Sequence, residues 1–269
     1  MPTLARFLTP MALAIVGALP LAPTTALAQM DAGGDLVARP GVDPDAARLV
    51  AEAKVAWSAL ESLTASVELG GTGGMGAFSP KSTGDLLAKR ADGVWIHRAT
   101  GHAVMAVAKK KADFDTVWDR RATTWVDHEA QTVTTAVNGS GFTYQMADAT
   151  RPLGLFGARP FYALENASVL TLGDPSRIDG LACDVIEFVE KKANAADQSG
   201  ATYRWHIARE DKLPRRIEQV VDSGTLSGSM LWTLSNVRTG AQLPDSAFSL
   251  ATPAGYETKG VTVVTSNAR

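Results

Sequence analysis

Thr202-Tyr-Arg-Trp-His-Ile-Ala208, Arg209-Glu-Asp-Lys212, Leu213-Pro-Arg-Arg-Ile-Glu-Gln-Val-Val221 is the stretch that decides the fold class. Two runs rich in β-branched and aromatic residues flank four polar residues. Side chains of a strand point alternately to its two faces. Tyr203, Trp205 and Ile207 therefore line one face of the first run, and Arg204 and His206 line the other. Such a pair of runs reads as an antiparallel hairpin, since antiparallel neighbours need only a short turn.

The same grammar extends in both directions. Upstream, Asp179-Gly180 separates Val169–Leu172 from Ala182–Val189. Asp92-Gly93 separates Asp85–Arg90 from Val94–Arg98. Asp-Gly pairs tolerate the positive φ angles that tight hairpins require. Ser66–Leu69, Ala103–Lys109, Asp115–Arg120, Thr123–Asp127, Thr132–Val137 and Leu226–Val237 complete about ten or eleven strands. One helical stripe interrupts them. Asp43-Pro44 caps and opens it, and Val50, Ala53, Trp57 and Leu60 recur at helical spacing over roughly five turns. The expected class is α+β, with an antiparallel sheet and the 44–62 helix lying on it.

Residues 1–28 fix the compartment. Arg6 precedes an apolar run, Met11 to Ala22, and Ala26-Leu27-Ala28 offers small residues for cleavage before Gln29. This is the pattern of a secretory signal peptide. Gln29 rather than Cys follows the cut, so the mature chain is expected to be soluble in the periplasm without a lipid anchor. The expected organisation is a leader at 1–28, a flexible tail at 29–42, one domain at 43–260 and a short tail at 261–269. Acidic and basic residues nearly balance, 28 against 26, which points away from nucleic acid. Cys183 is the sole cysteine; it reads as a small buried hydrophobe on the face of Leu181 and Val185.

Several chemical motifs fail on context. Gly71, Gly73 and Gly76 match a dinucleotide fingerprint, but Pro80 and Gly84 follow where a helix would have to open. His97, His102, His128 and His206 stand in no metal-ligand spacing. No nucleophile elbow is present. Asp113, Asp115 and Asp119 read as a salt-linked strand face beside nearby lysines and arginines. No cofactor, metal or catalytic residue is expected, and the chain reads as a non-enzyme.

The aromatic residues carry the functional expectation. Trp95, Trp205 and Trp232 alternate on strands, and residues 138–167 hold a run of apolar side chains: Leu153, Leu155, Phe156, Phe161, Tyr162 and Leu164. Two readings stay open. The tryptophans fill an ordinary core, or they line a cavity for an apolar ligand under a lid formed by 153–164. Arg98 and Arg216 alternate with apolar strand positions and are the polar candidates for such a cavity.

Asp179-Gly-Leu-Ala-Cys-Asp-Val-Ile-Glu-Phe188, Tyr203-Arg-Trp-His-Ile-Ala208, Asp211-Lys-Leu-Pro-Arg-Arg-Ile-Glu218, Trp232-Thr-Leu-Ser-Asn-Val237 and Pro244-Asp-Ser-Ala-Phe248 together resemble the outer-membrane lipoprotein-sorting superfamily, the LolA/LolB/RseB-like group. Within it they are most similar to a subgroup of periplasmic proteins with no assigned function. The resemblance spans residues 44–256 and speaks to fold more than activity. It implies a strongly curved, unclosed barrel with helices against its concave face. It also implies binding of acyl chains or lipid-modified proteins by a monomer. An envelope-stress sensor or interaction module that binds a membrane-anchored regulator is the alternative. That function normally carries a second domain, and the sequence stops soon after Tyr256.

Overall fold

The structure, a computed structural model, describes Leu36 and residues 39–77, 81–104, 111–119, 122–137, 155–156, 160–190, 202–222 and 227–261. Two meanders meet in the middle of one sheet. The first comprises β1 (Ser62–Gly71), β2 (Lys81–Ala91), β3 (Val94–Val104), β4 (Lys111–Trp118), β5 (Ala122–Asp127) and β6 (Thr132–Val137). The second comprises β7 (Ala167–Ile178), β8 (Leu181–Glu190), β9 (Thr202–Ala208), β10 (Pro214–Val221) and β11 (Gly228–Thr239). β1 pairs with β11, and β12 (Glu257–Val261) adds to β6. The resulting order is β12-β6-β5-β4-β3-β2-β1-β11-β10-β9-β8-β7, a twelve-stranded sheet whose end strands do not meet.

The hairpin turns form where Asp-Gly pairs stand. Asp92 and Gly93 take φ of 52° and 76°, and Asp179 and Gly180 take 52° and 79°. Two expectations change. Val94–Arg98 and Ala103 onward are one continuous strand, β3, rather than two. Gly101 allows this by facing Gly84 across the ladder; a Cβ there would lie 2.9 Å from the Phe114 ring. The sheet is also not wholly antiparallel, because β12 runs parallel to β6. The chain reaches it by crossing a sheet face. Ser62 Oγ donates to the Ala241 carbonyl, Lys89 to the Leu243 carbonyl, and Arg98 to the Ala247 carbonyl.

Helix α1 (Pro44–Ser58) starts as expected, with the Asp43 carboxylate accepting from the amides of Asp45 and Ala46. It stops a turn earlier than the stripe suggests. Arg90 donates to the carbonyls of Leu60 and Trp57, satisfying backbone acceptors that a helix end leaves bare. The buried stripe Ala46, Val50, Ala53 and Trp57 belongs to one apolar cluster with Leu63, Val67, Leu86, Trp95, Trp205, Ile207, Trp232 and Leu234. The second helix, α2 (Tyr162–Glu165), is a single turn that buries Leu164. Residues at the end of the expected tail are tied in. Leu36 is buried, Arg39 donates to the carbonyls of Glu165 and Ala167, and Val42 bridges to Leu170.

The opposite face of the sheet carries ionic and hydroxyl ladders. Arg98 holds Asp115 through two bonds of 2.9 and 2.7 Å. Arg204 donates to Glu187 at 2.7 Å and lies 3.7 Å from Glu218, which also accepts from Ser229. His206 is buried among them, with Nδ1 2.8 Å from Ser176 Oγ. Burial, and next the charge of Arg216, pushes the imidazole below the usual histidine value of 6.5. Cys183 packs with Ile178 and Ala208, fully buried, and burial raises its thiol.

Emptying the Trp57 site should cost about 3–5 kcal/mol. Chemical unfolding of Trp57→Ala checks this, and a loss under about 1 kcal/mol would mean the helix is not docked through that ring. His206 gives a pH signature. Its unfolded ring takes a proton near 6.5, whereas the folded ring takes one only at lower pH. The stability from the neutral ring is therefore complete above 6.5 and is lost as pH falls below it. The melting temperature of the native protein should drop more between about pH 7.5 and 5.5 than that of His206→Gln; parallel drops would dismiss this residue as the source.

Candidate apolar ligand site

The connection from β6 to β7 must travel from one side of the sheet to its far edge. Its described residues lie on the face that bears α1. Leu155 and Phe156 are buried there, and so are Phe161 and Leu164. Phe156 sits between the two tryptophans that join helix to sheet. Its ring centroid is 5.3 Å from Trp57 and 5.6 Å from Trp95, and Trp57 and Trp95 are 5.5 Å apart. All three contacts are tilted or edge-on, the favoured aromatic geometries. Phe161 covers Trp205 at 5.5 Å, and Phe188 stacks on Tyr203 at 5.1 Å. Trp232 belongs to the same cluster, across the ladder from Ile217.

The structure thus brings Trp95, Trp205, Trp232, Leu155, Phe156 and Phe161 into one layer. Trp57 joins them, although the sequence marked it only as a docking residue of the helix. Leu153 lies outside the described residues. Tyr162 is 47 % exposed and is not among the residues of the layer. Arg98 and Arg216 are not part of it. Each alternates with the residues of the tryptophan face and so points to the opposite one. Arg98 is held there by Asp115, and Arg216 donates to Thr233 Oγ1 at 3.0 Å. Strand period alone told that Arg98 and Trp95 face apart, but the cavity side could not be assigned before the helix was placed.

The covering pieces are fastened by a few polar contacts rather than by a ladder. Lys54 of α1 pairs with Glu165 of α2. Arg39 closes on two carbonyls at the end of α2. Arg90 grips the end of α1 and lays its guanidinium over Trp95, 4.7 Å from the ring centroid. None of these three cations was singled out in the sequence, because each acts on backbone or on a residue far along the chain.

The layer also holds unmet donors. The buried indole N–H groups of Trp57, Trp95 and Trp232 have no hydrogen-bond partner among the described residues. A buried donor left without an acceptor costs about 1–3 kcal/mol, and most buried polar groups in folded proteins are paired. An oxygen acceptor placed within the layer would satisfy them. Among the described residues no cluster of three His, Cys, Asp or Glu side chains is placed to hold a metal. No described helix is long and apolar enough to cross a membrane.

No family model matches the sequence, and no curated protein does. Solved structures do. MucB is 17 % identical with a TM-score of 0.51, over 78 % of this chain and 65 % of that one; the present chain therefore spans under two thirds of MucB. LprF from Mycobacterium bovis is 15 % identical with a TM-score of 0.48, over 75 % of this chain and 96 % of that one. The Mycobacterium tuberculosis lipoprotein LppX is 14 % identical with a TM-score of 0.46, over 75 % and 98 %. The chain shares with MucB the fold of a large, unclosed, mostly antiparallel sheet.

Proposed function

We propose that the protein is an envelope binding protein that takes acyl chains, free or attached to lipoproteins, between the tryptophan face and its cover of α1 and residues 155–164. The observation that carries this reading is the set of three buried indole donors, Trp57, Trp95 and Trp232, that have no hydrogen-bond partner among the described residues. An acyl chain gives up water for this layer at roughly 0.8 kcal/mol per CH₂, and its ester or carboxyl oxygens supply acceptors for the indoles. Apart from the Val42–Leu170 bridge at the start of α1, the described cover makes no strand pairs with the sheet, so it can separate from the tryptophan face with the ladder intact. In this reading the cover seats against the concave side of the curved sheet, the work of the face is binding rather than chemistry, and residues 1–28 export the chain to the periplasm. The unclosed-sheet fold shared with MucB supports it.

A second reading is an interaction module for a membrane-anchored regulator. What favours it is the edge strand β7, where Val169 and Leu172 are each 43 % exposed and, among the described residues, one side of the backbone has no strand partner beyond the Val42 bridge.

A fluorescent or brominated fatty acid should quench tryptophan emission saturably if the first reading holds. Leu155→Asp with Phe156→Asp should weaken that binding at least tenfold while far-ultraviolet circular dichroism keeps the sheet signal. Absence of saturable binding by any acyl probe, or full affinity in the double variant, returns the tryptophans to a filled core and favours the interaction module.

A further inference from the structure

We propose that Ser176, His206 and Glu218, on the sheet face opposite the tryptophans, form a serine hydrolase site for small carboxylic esters. The site is separate from the acyl-chain layer and does not depend on it.

A β-bulge places the nucleophile. Between Gly173 and Ser176, β7 advances three residues while β8 advances two, from Val185 to Cys183. In unbroken register Pro175 would stand opposite Cys183; the extra residue puts Ser176 there instead. Bulges re-aim side chains in this way and are common beside active sites. Cys183 and Val185 share a face, and Val185 is the cross-strand partner of His206. Ser176 therefore reaches over β8 to the imidazole, with Oγ 2.8 Å from Nδ1.

His206 is fixed for the role of base. It is 8 % exposed, and its other nitrogen, Nε2, makes no hydrogen bond and faces Glu218 Oε2 at 3.9 Å. The carboxylate favours the tautomer with the proton on Nε2, which leaves Nδ1 to accept the proton of the Ser176 hydroxyl. Glu218 is itself held, accepting from Ser229 and lying 3.7 Å from Arg204. Nucleophile and base stand within hydrogen-bond reach, as acyl-transfer sites require, and Glu218, at 3.9 Å, lies beyond hydrogen-bond distance as the carboxylate that would stabilise an imidazolium. Burial and the charge of Arg216 keep the ring neutral near pH 7, the state a base needs. Arg216 is the cross-strand partner of His206, and with Arg204 it is one of two guanidinium groups near His206 on this face that could favour a developing oxyanion.

The reaction balances with water alone. Ser176 Oγ attacks the ester carbonyl and its proton passes to Nδ1. The carbon–oxygen bond to the alcohol breaks, and the alcohol leaves with that proton. Water then attacks the acyl-serine, gives a proton to Nδ1, and the carboxylic acid departs as the serine hydroxyl is restored.

The test uses the purified full chain with p-nitrophenyl acetate and a fluorophosphonate probe, the probe's site being read by peptide mass spectrometry. The adduct should fall on Ser176. Ser176→Ala should lose the label and at least tenfold of the turnover. Ser168→Ala, which alters another β7 hydroxyl, one that donates to the Val189 carbonyl, should keep both. Glu218→Gln should lower the pH midpoint of the labelling rate, since it removes the negative charge facing Nε2 while Arg204, Arg216 and Glu187 stay in place. Absence of an adduct at Ser176 in the native chain overturns the proposal regardless of how any variant folds. Equal turnover in a folded Ser176→Ala does the same, and an unmoved midpoint removes Glu218 from the site.

Discussion

A sheet of twelve strands presents more apolar face than a helix of 15 residues can cover, and that mismatch governs the rest of the molecule. The Trp57–Phe156–Trp95 contact is where it is resolved. Trp57 brings the helix to the sheet, and Phe156 brings the β6–β7 connection to both. β6 lies near one edge of the sheet and β7 at the other. The described residues between them bury Leu155, Phe156, Phe161 and Leu164 in the apolar layer. At roughly 25 cal/mol per Å² of apolar area withdrawn from water, that burial outweighs the few polar contacts that fasten the cover.

Those polar contacts decide how the cover is held rather than whether it forms. Arg39, Lys54 and Arg90 each bind a carbonyl or carboxylate across a long sequence separation. Arg90 does two jobs at one point, ending α1 and lying over Trp95. The opposite face is organised differently. There the C-terminal segment crosses from β11 toward β6, anchored by Ser62, Lys89 and Arg98, and its last strand joins β6 in parallel. Lys89 also pairs with the exposed carboxylate of Asp245 and holds its pKa below the usual range, chiefly through their hydrogen bond.

What the chain spells out is local. Asp92-Gly93 and Asp179-Gly180 adopt the positive φ angles their residue types permit, Asp43 caps the helix, and the 202–208 strand has the bounds its alternation suggests. Long-range decisions escape such a reading. β12 carries little apolar alternation, and its pairing follows from where the crossing segment delivers it. The extension of β3 through Gly101 depends on Gly84 in the neighbouring strand. Arg98 and Arg216 could be assigned to one side of their strands but not to a cavity or to solvent. The Ser176–His206 contact needs a bulge in β7, and Asp174-Pro175 marks an irregular edge without saying which side chain it turns inward.

Unmet polar atoms divide the two faces. Among the described residues the indoles of Trp57, Trp95 and Trp232, and the hydroxyl of Ser82, are buried without hydrogen-bond partners on the side that bears α1. On the opposite side Arg98, Arg204, Arg216, Glu187 and Glu218 all have partners within the fold. Among the buried side-chain atoms described there, only Nε2 of His206 lacks one. A structure selected for stability alone would replace an unpaired indole with phenylalanine, because removing a buried donor that has no acceptor relieves its desolvation penalty. Retaining three in one apolar layer makes sense where a guest supplies oxygen atoms to that layer. An imidazole with a hydroxyl on Nδ1 and a carboxylate facing its unpaired Nε2 makes sense where a proton has to move. In the proposed reading the first pattern serves binding and the second proton transfer, on faces that the alternation of strand side chains keeps apart.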